Sequence, residues 1–175
     1  MSEHISVMLN ETLELLDVKK GGIYIDGTLG RGGHSREILK RLGDGKLYCF
    51  DLDSEAIKES RENLKDYDNV TFIHDNYCHM QQYVEKVDGI LLDLGVSSPQ
   101  FDEGERGFSY RFDGPLDMRM DQEKELTAAK IVNEYSKEEL ANIFWNYGEE
   151  KFSRPIADKI CRYRENKKIE STFEL

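Results

Sequence analysis

The sequence predicts an α/β protein with about four parallel strands, and three observations support this. Short apolar runs alternate with stretches of helical periodicity. The first run, 22–26, ends in an acid and a glycine-rich turn that leads directly into a helix. The run at 87–92 is the most apolar of the chain, as expected for a strand inside a parallel sheet. At 175 residues, the chain has room for about one domain with a sizeable core.

The remaining elements follow in order along the chain. Apolar spacing predicts an initial helix over 7–16, and Ser54 is predicted to cap the helix that follows the second strand. The predicted strands are 22–26, 46–50, 70–73 and 87–92, and the predicted helical stretches of this part are 7–16, 35–42, the segment after Ser54, and 80–84.

The turn at 26–34, Asp-Gly-Thr-Leu-Gly-Arg-Gly-Gly-His, has the composition of a nucleotide-binding turn. Its glycines do not match the G-x-G-x-x-G dinucleotide pattern, which disfavours an NAD-dependent oxidoreductase, and no P-loop is present. An acid before the first glycine suits a ligand with a cationic amino group, such as S-adenosylmethionine. A tight α/β turn without a ligand is the alternative.

Four predicted strands deliver polar or aromatic residues to one edge of the sheet. These residues are Asp26, Asp51, Tyr77 and Asp93. Ligands of open α/β sheets bind at the carboxyl ends of the strands, where an acid about 20 residues after the glycine turn holds a ribose. Asp51 is therefore predicted to bind a ligand, whereas Asp53 could serve only as charge at a helix terminus.

No metal site is predicted. His74, Cys78 and His79 are close in sequence, but their spacing fits no standard zinc pattern and a fourth ligand is missing. Three cysteines without a C-x-x-C pair indicate a reducing compartment. With no signal-peptide layout and no apolar run of membrane-spanning length, the sequence predicts a soluble cytoplasmic protein without membrane contact.

The second part of the sequence has a different character. A long segment, 101–121, is rich in charge and glycine, and only helices are predicted after it. Thr127 begins one helix, Ser136 and Glu139 form a capping box for the next, and a third covers about 154–166. A further helix-start pattern at 171–174 predicts that the chain is the front part of a longer protein.

Charge is distributed unevenly. The net charge of −11 argues against non-specific coating of nucleic acid, yet 151–168 holds seven Lys or Arg residues and only two acids. Phosphate contact and an ordinary solvated helix face both remain open for this stretch. If the first holds, Arg162→Glu combined with Arg164→Glu is predicted to weaken RNA binding and flatten its salt dependence.

The stretches 24–35, 88–100, and 106–109 with 114–121 closely resemble the MraW/RsmH family. That family consists of S-adenosylmethionine-dependent enzymes that methylate the N4 amine of a cytidine in bacterial 16S ribosomal RNA. The resemblance implies a Rossmann-like class I methyltransferase sheet, incomplete here, with an inserted all-helical domain. It further implies a methyltransferase core at 1–105, an active-site loop at 106–121 and a truncated substrate-recognition domain at 122–175.

The resemblance also assigns the site. Gly32, Gly33 and His34 are expected at the methionine end of the cofactor, Asp51 at the ribose, and Tyr77 at the adenine. Asp93 and Gln100 are expected to make the remaining contacts. The implied partner is small-subunit ribosomal RNA, free or in the assembled small subunit; the oligomeric state is left open, and a homodimer is one possibility.

Methylation of a cytosine amine requires an acceptor for its hydrogen bonds as the nitrogen pyramidalises. Asp93 or a backbone carbonyl of the turn after it is the expected acceptor. No cysteine adjoins a proline, which disfavours carbon methylation through a cysteine nucleophile. The alternative is a fragment that binds cofactor and RNA without turnover because later strands are missing.

Overall fold

The computed structural model describes residues 7–175 as two compact units, each treated by itself below. The first is Met1–Gly95, of which 7–95 are described, and the second is Val96–Leu175. No described helix is long and apolar enough to cross a membrane.

The first unit alternates strands and helices, as the sequence predicts. Its elements are α1 (Leu9–Leu16), β1 (Ile23–Asp26), α2 (Gly33–Leu42), β2 (Lys46–Asp51), α3 (Ser54–Asn63), β3 (Val70–His74), a 3-10 helix (Tyr77–Gln82) and β4 (Gly89–Leu91). All strand pairs are parallel and the order is β3-β2-β1-β4. This Rossmann-like α/β sheet confirms the predicted fold class, with the first strand at the centre and the order reversing between β1 and β4.

The two faces of the sheet are covered differently. The larger core lies under α1, α2 and α3, where Leu13, Ile38 and Leu64 are almost fully buried. A smaller core on the other face contains Ile25, Phe50 and Ile73. On β4 and just after it, Ile90 and Leu92 keep 45% and 41% of their surface exposed.

The second unit is helical. Its elements are α4 (Ser98–Asp102), a 3-10 turn (Gly104–Arg106), α5 (Ala128–Glu134), α6 (Lys137–Asn146) and α7 (Ser153–Arg164). The predicted capping box of α6 is confirmed, since Ser136 and Glu139 satisfy each other's backbone N–H groups. Thr127, predicted to begin a helix, is the N-cap residue of α5, and its side chain accepts the Lys130 backbone N–H.

The segment 106–121 is packed against these helices. Leu116 is buried with Val132, Leu140 and Ile160 in a core that belongs to this unit alone. The backbone N–H of Ala129 donates to the Leu116 carbonyl at 2.6 Å. The described units thus divide at Gly95, whereas the functional division of the chain at 105 and 121 remains a prediction.

Three local predictions need correction. Asp53, not Ser54, caps α3: its carboxylate accepts the Glu55 backbone N–H at 3.0 Å. Strand β4 is shorter than the apolar run at 87–92 that predicts it. The helical stretch expected over 80–84 is a 3-10 helix that begins at Tyr77, where the Asn76 side chain caps it.

Arg164 has a structural role that the sequence does not reveal. Its guanidinium donates to the Val132 carbonyl at 2.5 Å and to the Tyr135 carbonyl, at the end of α5. Hydrogen bonds from a charged donor contribute about 1.5–3 kcal/mol. The double variant Arg162→Glu, Arg164→Glu would therefore disrupt the helical unit, and it is not a clean test of RNA binding.

Candidate cofactor site

The glycine turn after β1 leaves open space beside its backbone. Gly30 and Gly32 have backbone φ angles of +52° and +78°, which residues other than glycine rarely adopt. A Cβ on Gly30 would meet nothing within 4 Å, whereas one on Gly27 would come within 2.4 Å of Leu92 Cδ2. The turn leads into α2, a ten-residue helix whose first N–H groups are available to a ligand.

Asp26 stabilises this turn through two hydrogen bonds. It is 1% exposed, accepts the Ser35 hydroxyl at 2.6 Å and accepts the Thr28 backbone N–H at 3.1 Å. Burial raises the pKa of the Asp26 carboxyl, although these two hydrogen bonds oppose the rise. Because Asp26 is almost fully buried and both of its oxygens accept bonds from the protein, it positions the turn and leaves the contact with a ligand to other residues.

The raised pKa of Asp26 predicts a pH effect on stability. In the folded state the Asp26 carboxyl keeps its proton to a pH above its ordinary pKa of 3.8. Its contribution to stability is therefore fully present below a pH of about 4 and is lost as the pH rises through the raised pKa. Urea unfolding measures this effect. As the pH rises from acid to neutral, the free energy of unfolding of the natural protein should fall relative to that of Asp26→Asn. A difference independent of pH would contradict this assignment.

Asp51 connects the end of β2 to the glycine turn. One carboxylate oxygen accepts the Gly30 backbone N–H at 2.8 Å, and the other accepts the Asp53 backbone N–H at 2.9 Å. Burial raises the pKa of the Asp51 carboxyl. A carboxylate has about four acceptor positions and Asp51 is only part-buried, so it keeps acceptor capacity for a ligand.

His34 and Asp93 meet next to the turn. His34 Nδ1 lies 3.9 Å from an Asp93 carboxylate oxygen, and its Nε2 lies 3.2 Å from the Val7 carbonyl oxygen. The backbone N–H of Asp93 donates to the Thr28 hydroxyl at 2.7 Å. This bond fixes the backbone of Asp93, while its carboxylate stays 54% exposed.

Tyr77 borders an open depression on the other side of the turn. A Cβ on Gly27 would lie 3.1 Å from Tyr77 Cβ, so the turn passes directly beside this ring. The depression is lined by Tyr77, Cys78, Met80, Gln81, Ile90 and Leu92.

The first unit therefore brings together six of the predicted site residues: Gly32, Gly33, His34, Asp51, Tyr77 and Asp93. Gln100 belongs to the second unit, where its side-chain carbonyl accepts the Ser97 backbone N–H at 3.0 Å and caps α4. Within residues 7–175 no group of three or more His, Cys, Asp and Glu side chains could hold a metal ion.

Sequence reasoning missed the residues that support the turn. Ser60 donates to the Gly30 carbonyl at 2.8 Å, and the Asn63 amide donates to the Arg31 carbonyl at 3.2 Å. Both lie on α3, about 30 residues away in sequence. Polar residues on a helix face that otherwise buries Ile57 and Leu64 are the signal that could have identified them.

A family model described as the MraW methylase family matches residues 1–175. The chain belongs to this family. A relative from Clostridium botulinum (strain Loch Maree / Type A3) is 54% identical over 179 residues, and one from Mesoplasma florum is 56% identical over 182. Both are named ribosomal RNA small subunit methyltransferase H.

These relatives are longer than this member of the MraW methylase family. The alignments cover 99% and 100% of the chain but 58% of each relative. Among solved structures, an rRNA methylase from Streptococcus thermophilus has a TM-score of 0.42 and 24% identity, with 48% of each chain covered.

Proposed function

We propose that this chain carries the cofactor-binding part of an S-adenosylmethionine-dependent methyltransferase that modifies the N4 amine of a cytidine in small-subunit ribosomal RNA. The observation that carries the proposal is the edge of the sheet at which Asp51, Tyr77 and Asp93 surround the glycine turn. Membership of a methylase family supports the reaction type, and the names of the relatives support ribosomal RNA as the substrate.

The residues present fit this cofactor. Gly30 faces open space with no atom within 4 Å of an added Cβ, and the remaining acceptor positions of Asp51 suit a pair of ribose hydroxyls. We assign Gly32, Gly33 and His34 to the methionine end and Tyr77 to the adenine. Asp93 is assigned to the remaining contacts, and a role for Gln100 of the second unit stays a separate prediction.

The bound cofactor supplies an electrophilic methyl group on its sulfonium. The chain's own contribution is to place a hydrogen-bond acceptor for the cytosine amine, whose lone pair is delocalised into the ring. Asp93 suits this role because its backbone is held by Thr28 while its carboxylate remains accessible. A base stacked in RNA must leave its stack to reach such a group.

The test is the identity of the methylated atom. Small-subunit RNA, free or in assembled subunits, is incubated with protein and S-adenosylmethionine carrying a labelled methyl group, then digested to nucleosides. The expected product is N4-methylcytidine. Label on cytosine carbon, or on protein alone, would refute the proposal.

The same assay distinguishes an active enzyme from a chain that binds cofactor and RNA without turnover. A matched sample extended to the length of the relatives is assayed in parallel. The enzyme interpretation predicts product from both samples. Product from the longer chain alone would identify the present chain as a binding part of the enzyme. The proposed ribosomal RNA substrate implies action in the bacterial cytoplasm.

A further inference from the structure

One face of α7 exposes large apolar side chains. Phe152, directly before the helix, is 68% exposed, and Ile156 and Tyr163 on α7 are 37% and 46% exposed. Their spacing of four and seven residues places them on one side of the helix. The neighbouring side, with Ser153, Ala157 and Ile160, is buried in the core of the second unit.

The end of the preceding helix adds two exposed aromatic rings. Trp145, on the last turn of α6, is 58% exposed, and Tyr147 just after α6 is 86% exposed. Helices α6 and α7 pack against each other. The turn between them is held by the bond from the Glu150 backbone N–H to the Phe144 carbonyl at 3.0 Å. Trp145 and Phe152 therefore lie at the same end of this helical hairpin.

Positive charge accompanies these rings. Lys151, Arg154 and Lys159 are exposed and form no ion pair with other residues in 7–175. Elsewhere in this stretch Arg162 pairs with Asp158 at 2.8 Å, Lys167 pairs with Glu174 and Arg164 caps α5, whereas Lys168 forms no ion pair with another described residue. Lys159 lies three residues after Ile156 and four before Tyr163, on the same side of α7 as the exposed apolar row, and Lys151 directly precedes Phe152. We call Trp145, Tyr147, Lys151, Phe152 and Lys159 the hairpin surface.

The charge of this surface favours an anionic partner. Residues 151–168 carry seven Lys or Arg and two acids, a net +5 in a chain whose total is −11. Cores of protein–protein interfaces are depleted in lysine, whereas Lys159 lies within the apolar row. Exposed aromatic rings beside unpaired cations are the usual means of holding single-stranded nucleic acid, through base stacking and phosphate contact.

We infer that the hairpin surface binds an unpaired segment of RNA, with bases stacked on Trp145 and Phe152 and phosphates held by Lys151 and Lys159. The inference rests on the proposed function for the origin of the RNA. It adds a second contact on the substrate, made by residues other than those assigned to cofactor and methyl transfer.

Trp145 is the sole tryptophan of the chain, so its fluorescence reports directly on this surface. The experiment titrates the 175-residue chain with single-stranded oligocytidylate and, separately, with a fully paired RNA duplex. Stacking predicts quenching by the single strand and a much weaker response to the duplex. Phe152→Ala should weaken single-strand binding about 10-fold, and Phe152→Tyr should restore it.

The salt dependence tests the phosphate contacts. Lys151→Ala with Lys159→Ala should reduce the slope of log affinity against log salt by about 1.4. The matched control is Lys20→Ala with Lys58→Ala, which removes two cations of the first unit and should leave the slope unchanged.

Several results would overturn the inference: no quenching, equal quenching by duplex, or binding unaffected by Phe152→Ala. Self-association without RNA that is lost in Phe152→Ala would show that a second copy covers the surface instead. These outcomes are independent of the proposed function, which fails only if N4-methylcytidine is not formed. Single-strand binding without methylation would leave the inference standing.

Discussion

Replacing Asp51 with alanine is expected to weaken binding of S-adenosylmethionine by about 100-fold or more. The change removes the acceptor oxygens proposed for the ribose hydroxyls, and hydrogen bonds to a charged group contribute about 1.5–3 kcal/mol each. It also deprives the Gly30 and Asp53 backbone N–H groups of their acceptor, so the glycine turn loses its link to β2. Calorimetric titration measures the affinity.

Two controls separate loss of the ligand contact from loss of fold. Asp68→Ala changes an exposed acid in the turn before β3 and should bind as the natural protein does. Thermal unfolding of Asp51→Ala should still show a cooperative transition, lowered because two N–H groups are unsatisfied. A folded Asp51→Ala protein that binds with undiminished affinity would refute the assignment of Asp51.

Replacing Asp93 with alanine is expected to lower kcat for methyl transfer by about 100- to 1000-fold, the usual effect of losing a group that stabilises developing charge. The backbone bond to Thr28 is retained, so the turn should keep its shape. Cofactor affinity should fall far less than kcat. The measurement is single-turnover transfer of labelled methyl to RNA, performed with the longest active form of the protein.

Asp93→Asn is the informative companion variant. It preserves the volume and one acceptor oxygen but removes the charge, so an intermediate rate is expected. If both variants turn over at the natural rate, the acceptor is a backbone carbonyl of the turn after β4, which was the other option left open by the sequence.

The sequence predicted most of the first unit because its signals are local. Alternating apolar runs specify strands and helices, and the acid at the end of β2 lies where the turn of β1 meets it, as the bond between Gly30 and Asp51 confirms. The boundaries are less predictable. Asp53 and Ser54 are both competent caps, and only the backbone conformation of Asp53 decides between them.

Long-range roles could not be predicted. Arg164 reads as one more cation of a basic stretch, and only the packing of α7 against α5 shows that its guanidinium satisfies two carbonyls. The support of the glycine turn by Ser60 and Asn63 depends in the same way on the docking of α3. Roles of this kind depend on the tertiary structure and leave no periodic pattern.

Within residues 7–175, the buried apolar residues of the first unit and those of the second unit form separate clusters. Each core can therefore melt on its own, and denaturation of the chain need not be a single all-or-none event. A melting temperature fitted as one transition would average two processes. A ligand raises the melting temperature of the transition of the unit to which it binds. The transition that shifts therefore identifies the core that the ligand stabilises.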